Sequence, residues 1–280
     1  MKIGFVDYYI SEWHANNYPR WMQQKCAELG IDARLAFAWA ELDKSPLDGV
    51  STQEWCDANG CEKCETLEEL CEKSDVLVIL APSDPDKHLE YAKTVLKYKK
   101  PTYIDKTFSD SLENAKKIYE IADAYGTSFF STSALRYADE LEEAKGALEL
   151  HVTGGGSSVH EYIIHQIEMA VKVMWTGFEA VTCKNDGDNT VFFLERADKK
   201  VVTLTYGEGL RFGFGARLED GSETSQIARS PYFKTLMAKI LQFFDSGVLP
   251  FEREQTVEAM RVRDAILESA ENIGKRINLN

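Results

Sequence analysis

The alternation of apolar and polar positions is most informative between Ser74 and Phe108. Val76 to Ala81 is a continuous apolar run of strand length, as expected for a strand buried on both faces. Pro82-Ser83-Asp84-Pro85 follows, with Ser or Asp able to cap a helix and Pro85 suited to its first position. Leu89, Ala92, Val95 and Leu96 recur at helical spacing, and Lys99-Lys100-Pro101 ends that helix. Thr102 to Ile104 is a second strand, which delivers Asp105 and Lys106 at its carboxyl end. Strand, helix and strand make a βαβ unit with parallel strands. Ligands of open parallel sheets lie beyond the carboxyl ends of the strands, which singles out Lys106.

The same alternation extends to both sides. Residues 2–6 read as a first strand. Pro19 is tolerated near a helix start, so the next helix is expected to begin around Asn16 or Asn17, with Gly30 just past its end. Arg34 to Trp39 reads as a strand with Glu41 beyond it, residues 41–65 as a long irregular loop, and Thr66 to Lys73 as a short helix. After Lys106, Ser109 is placed to cap a helix closed by Gly126, and Thr127 to Ser131 is a strand. This predicts an α/β fold, with a Rossmann-like doubly wound parallel sheet over residues 1–132. Beyond it the pattern changes. Glu140 to Leu150 reads as helix, Gly154-Gly155-Gly156 as a flexible joint, and Val159 to Met174 as helix. Strands follow from Phe178 to Ala216 (Thr190–Glu195, Val201–Tyr206 and Arg211–Arg217), and then two helices. Residues 133–280 are thus expected to form an α+β domain with a mainly antiparallel sheet.

Charge narrows the partners. Across 280 residues the formal net charge is −14, which argues against nonspecific nucleic-acid binding and against docking on anionic membrane. The amino terminus lacks a signal-peptide apolar core and no apolar run reaches membrane-spanning length, so the cytoplasm is the expected compartment. Six cysteines without a secretion signal read as free thiols. The spacing of Cys56, Cys61 and Cys64 also matches plant-type iron–sulfur ligation and is compatible with zinc. Reduced thiols are the favoured reading, and no metal is expected.

Several motifs, in order along most of the chain, resemble the Gfo/Idh/MocA oxidoreductases (relatives of glucose–fructose oxidoreductase and inositol dehydrogenase). Ala81-Pro82…His88 resembles that family's T-P-x-x-x-H helix start, and Tyr103-Ile104-Asp105-Lys106-Thr107 its strand ending in E-K-P. Ser133-Ala134-Leu135-Arg136-Tyr137 is similar to the stretch opening the second domain. Glu161-Tyr162-Ile163-Ile164-His165-Gln166-Ile167-Glu168 resembles D-x-G-x-H-x-x-D. The resemblance implies NAD or NADP as cofactor and a sugar- or polyol-like alcohol as substrate. It also implies a homo-oligomer paired through the C-terminal sheet. Hydride leaves a carbon only as its hydroxyl loses a proton, so a desolvated lysine or a carboxylate-oriented histidine is needed beside the nicotinamide. Lys106, His165 and Glu161 are the catalytic candidates. The resemblance assigns the cofactor to residues at the strand ends: Asp7, Tyr9, Ser11 and His14 after the first strand, Glu41 after the second, and Ala81, Pro82, His88 and Asp105 farther on.

The first turn differs from the family pattern. Where the family has a G-x-G-x-x-G-like loop, this chain has Asp7-Tyr8-Tyr9-Ile10-Ser11-Glu12. Glycines there permit close backbone approach to a diphosphate. Tyr9 brings a ring, and Asp7 and Glu12 bring negative charge. The alternative function is therefore a non-catalytic ligand-binding or regulatory protein of the same fold that has lost dinucleotide binding.

Overall fold

The computed structural model describes residues 1–279. Contacts divide the chain into two compact units. Met1–Thr132 with Phe233–Phe251 form one; Ser133–Tyr232 with the chain from Glu252 onward form the other.

The first unit is built on six parallel strands: β1 (Lys2–Asp7), β2 (Arg34–Ala40), β3 (Glu62–Lys63), β4 (Val76–Ile79), β5 (Thr102–Ile104) and β6 (Phe129–Ser131). Their order is β3-β2-β1-β4-β5-β6, the doubly wound arrangement with its switch point between β1 and β4. All four residues of β4 are buried, as its unbroken apolar run requires. The connecting helices are α1 (Trp13–Leu29), α2 (Thr52–Asn59), α3 (Leu67–Lys73), α4 (Lys87–Val95) and α5 (Leu112–Tyr125). Gly30 ends α1 in the left-handed conformation, as the sequence predicts.

Three local expectations are corrected. α1 begins at Trp13, not at Asn16 or Asn17, and carries Pro19 inside it, because Glu12 caps it earlier than the proline suggested. Residues 41–65 are not wholly irregular: Ser51 and Glu54 form a reciprocal capping box that starts α2, and β3 follows. Ser111 rather than Ser109 caps α5, and no side chain caps α4.

The second unit carries β7 (Ala147–Gly154), α6 (Val159–Met174), β8 (Phe178–Asp186), β9 (Asn189–Arg196), β10 (Val201–Tyr206), β11 (Gly213–Leu218) and β12 (Glu223–Ile227). After α7 (Tyr232–Ser246) come α8 (Arg253–Glu271) and β13 (Arg276–Asn278). Its sheet runs β12-β11-β7-β10-β9-β8-β13, antiparallel except for the parallel β7–β10 pair. α6 and α8 cover it, with Ile163, Ile167, Val171, Val262 and Ile266 in a core shared with Leu150, Val152, Val202 and Leu204.

Glu140 to Leu150 is not a helix. A short 3-10 segment over Asp139–Ala144 is followed by Gly146, whose φ is 80°, and then by β7. The three glycines after it are sites of close packing. A Cβ at Gly155 would lie 1.7 Å from the Gly207 carbonyl oxygen, and one at Gly154 would lie 2.4 Å from the Phe212 ring. The Phe233–Phe251 segment, which sequence order places in the second half, packs with the first unit. The Phe243 ring lies 5.2 Å from Phe130 of β6, and Phe233 lies 5.0 Å from Trp13. Burial of such large rings outweighs proximity in sequence. Among the described residues no helix is long and apolar enough to cross a membrane.

Candidate functional site

In the first unit the carboxyl ends of β1, β4 and β5 bring together seven of the predicted residues: Asp7, His14, Ala81, Pro82, His88, Asp105 and Lys106. Asp7 ends β1, and its Oδ1 accepts the N–H groups of Tyr8 (2.7 Å) and Ala81 (3.0 Å), tying the first turn to the end of β4. Ala81 holds φ at 53°, a left-handed value costly for alanine, and the Asp7 contact helps retain it there. Asp7 Oδ2 is buried without a partner. Burial, with Glu12 nearby, pushes the Asp7 carboxyl well above the usual range.

Asp105 follows β5 and is fully buried. The His14 ring nitrogen Nδ1 contacts its Oδ2, while the hydroxyls of Tyr103 and Tyr18 lie 3.0 and 3.2 Å from Oδ1. Burial pushes this carboxyl up, but the His14 ring, the Lys106 amine and the Tyr103 hydroxyl outweigh it and hold the group below the ordinary Asp value. Tyr18 stacks on His14 with ring centroids 5.0 Å apart. His88, also buried, faces the carbonyls of Leu80 and Phe108 with its two nitrogens, bracing the segments on either side of Lys106. Burial lowers its pKa.

Lys106 is only 8% exposed. Its Nζ donates to the Pro82 carbonyl oxygen at 3.0 Å, and its peptide bond to Thr107 is cis. An amine so placed is desolvated along its stem and directed by one acceptor, with two further N–H directions for a ligand.

The remaining cofactor candidates make contacts of their own. The Tyr9 ring packs 5.8 Å from Tyr8. Ser11 donates to Asp48, and Ser45 donates to the Ser11 carbonyl, so the segment after β2 folds back on the first turn. Glu41 is paired with Lys87 at 2.8 Å and accepts from Tyr91. Its pKa falls as these contacts outweigh burial.

In the second unit His165 Nδ1 meets Ser133 Oγ at 2.7 Å, and its ring edge packs against Phe212. Glu161 occupies the first turn of α6, where Ser158 Oγ accepts its N–H and Ser157 Oγ donates to its carboxylate. Glu168, the motif's second acid, pairs with buried Arg136 at 3.0 Å, and Gln255 contacts the same guanidinium. Glu168 therefore has a structural partner in the turn that carries Ser133.

Cys56 and Cys61 lie within hydrogen-bonding distance of each other at the end of α2, and Cys64 is buried after β3. Among the described residues no group of three or more His, Cys, Asp or Glu side chains forms a metal-ligand set.

Sequence reading passed over Tyr18, Tyr103 and the use made of Glu12. The carboxylate of Glu12 accepts the N–H groups of His14 (2.7 Å) and Ala15, the second and third residues of α1. Ser, Thr, Asp and Asn are the usual residues at such a cap, so a glutamate gave no signal. This geometry tests the dinucleotide directly. A diphosphate at a Rossmann first turn needs free backbone N–H groups and room for close approach. Here the amides of Tyr8, Glu12, His14, Ala15 and Asn16 are all taken, and Tyr9 stands where a glycine would allow approach. The first turn does not fit a diphosphate.

Residues 47–132 match the family described as "Oxidoreductase family, NAD-binding Rossmann fold", the Gfo/Idh/MocA group. The matched stretch begins beyond the first turn. A search of curated proteins gives no match. A probable dehydrogenase from Thermotoga maritima shares the fold with a TM-score of 0.80 at 14% identity, over 100% of this chain and 99% of that one. An apo scyllo-inositol dehydrogenase from Lactobacillus casei has a TM-score of 0.79 at 12% identity, over 99% and 98%. A myo-inositol dehydrogenase from Corynebacterium glutamicum has 0.76 at 14%, over 100% and 99%. Residues 47–132 thus match the Gfo/Idh/MocA oxidoreductase family model, and the whole chain has the fold of these solved dehydrogenases.

Proposed function

We propose that this protein is an oxidoreductase acting on a sugar- or polyol-like alcohol, with Lys106 handling the proton of the reacting hydroxyl. The observation that carries this reading is the buried amine at the end of β5, aimed by the Pro82 carbonyl and set beside ionised Asp105. The reaction class is supported by the family description and by the inositol dehydrogenases among the structural relatives. An alcohol carbon gives up hydride more readily as its oxygen loses its proton, and a positioned amine can take that proton and return it. Asp105, held by His14 and two tyrosines, keeps a negative charge beside the amine. In the second unit His165, whose Nδ1 meets Ser133 Oγ at 2.7 Å, and Glu161 are proposed separately as acid–base candidates. The family description names NAD, whose diphosphate the first turn does not fit, so this reading rests on the proton and not on the nucleotide. The chain's own contribution is the proton.

The test is turnover of NAD⁺ and NADP⁺ with a panel of inositols and sugar alcohols, read by nicotinamide absorbance. Lys106→Ala is expected to lower kcat by about 100-fold or more, the usual worth of a positioned acid–base group. Undiminished turnover would remove Lys106 from the role. The Glu12 cap favours a second reading, a ligand-binding or regulatory protein without dinucleotide. Calorimetric binding of a polyol with no turnover on either nucleotide would establish it.

A further inference from the structure

The start of α1 satisfies its own amides with a negative side chain. Glu12 is 6% exposed and uses both carboxylate oxygens, one for His14 N–H and one for Ala15 N–H. A phosphate at a helix N-terminus would use these same donors, with the same favourable interaction with the helix dipole. The neighbouring donors are committed as well. Tyr8 N–H goes to Asp7, and Asn16 N–H to the Glu12 carbonyl. The Asp105 carboxylate, held below the ordinary Asp value, lies close enough to affect Glu12 electrostatically, so a diphosphate would enter a region already negative. Ser11 and Ser45 then bind the segment after β2 across the turn.

We infer that Glu12 is a built-in anion that occupies the diphosphate seat of the fold and keeps NAD and NADP off the first turn. The inference rests on the geometry of that turn and not on the proton chemistry proposed for Lys106. Removal of this one charge and side chain frees the His14 and Ala15 N–H groups, the donors at the start of α1. Glu12→Ser does this while leaving a good capping hydroxyl on α1. Glu12→Gln removes the charge and keeps the length.

The experiment is titration of wild type, Glu12→Ser and Glu12→Gln with NADH, read by energy transfer from the tryptophans, with circular dichroism to confirm folding. Wild type is expected to show no saturation below the millimolar range. Glu12→Ser is expected to tighten NADH binding by about 10- to 30-fold, the scale of an anion's interaction with a helix N-terminus. Micromolar saturation of wild type, unimproved in either variant, would overturn the inference. So would folded variants that bind no better than wild type, because something other than this carboxylate would then exclude the nucleotide. Turnover of the Lys106 variant is scored separately, so failure here leaves the proton reading standing.

Discussion

Arg136 and Glu168 form an ion pair 3.0 Å long whose side chains are 3% and 4% exposed, with Gln255 as a further partner of the guanidinium. Taking either charge out of water costs several kcal/mol, and the pair offsets that cost only while both members are present. Glu168→Ala leaves the guanidinium buried with its main counter-charge gone. The expected loss is about 3–5 kcal/mol, a large fraction of the roughly 5–15 kcal/mol that holds a protein folded. At about 2–4 °C per kcal/mol for a unit of this size, the melting temperature should fall by roughly 6–20 °C. The double variant Arg136→Met/Glu168→Leu should be milder than either single change, because no unpaired charge is left inside. Urea unfolding followed at Trp175, the single tryptophan outside residues 1–132, reports on the second unit. A loss below about 1 kcal/mol for Glu168→Ala would refute the reasoning, as would a double variant no better than the worse single one. Because Arg136 lies in the turn that begins at Ser133, the same change should disturb the contact between Ser133 and His165.

Acid behaviour offers a second prediction. Burial raises the Asp7 and Glu12 carboxyls, so each ionises at a higher pH in the folded state than in the unfolded chain. Their contribution is most favourable below the ordinary carboxylate range and is lost as pH rises through the raised values. Asp105 has the opposite sign, contributing above the ordinary Asp value and failing as pH falls below it. Asp7→Asn should therefore raise the melting temperature more near neutral pH than in acid; a larger gain in acid would contradict the assignment. Cys61 is the thiol expected to react first with iodoacetamide near neutral pH. A hydrogen bond from Cys56 lowers its pKa and it is partly exposed, whereas burial pushes Cys64 and Cys71 up to about 12. Peptide mapping after brief alkylation should show Cys61 modified roughly ten-fold faster than the other two, and equal rates would count against it.

Much of the first unit was legible before the structure. The apolar run Val76 to Ala81, the helix pattern after it and the Thr102 to Ile104 strand are local signals, and each appears close to its expected position. Val159 to Met174 and Val201 to Tyr206 were read to the residue. The place of Lys106 just past β5 was legible because the strand before it was, and the ends of parallel strands are where this architecture carries its ligands. Short or atypical signals failed. Two-residue β3 and three-residue β13 carry no periodicity to detect, and apolar spacing in Glu140 to Leu150 suited a helix until Gly146 and the pairing of β7 with β10 and β11 decided otherwise.

Sequence by itself determined which stretches would be buried strands and amphipathic helices, and hence the doubly wound sheet and the residues at its carboxyl edge. Only the tertiary structure decided the partners of those residues. His14 meets Asp105 across 91 positions, Asp7 holds the Ala81 amide across 74, and Arg136 takes Glu168 across 32. Periodicity reports which side of an element avoids water, a property each segment carries alone. Which buried polar group satisfies which other depends on how separate segments come together, and no local pattern encodes that.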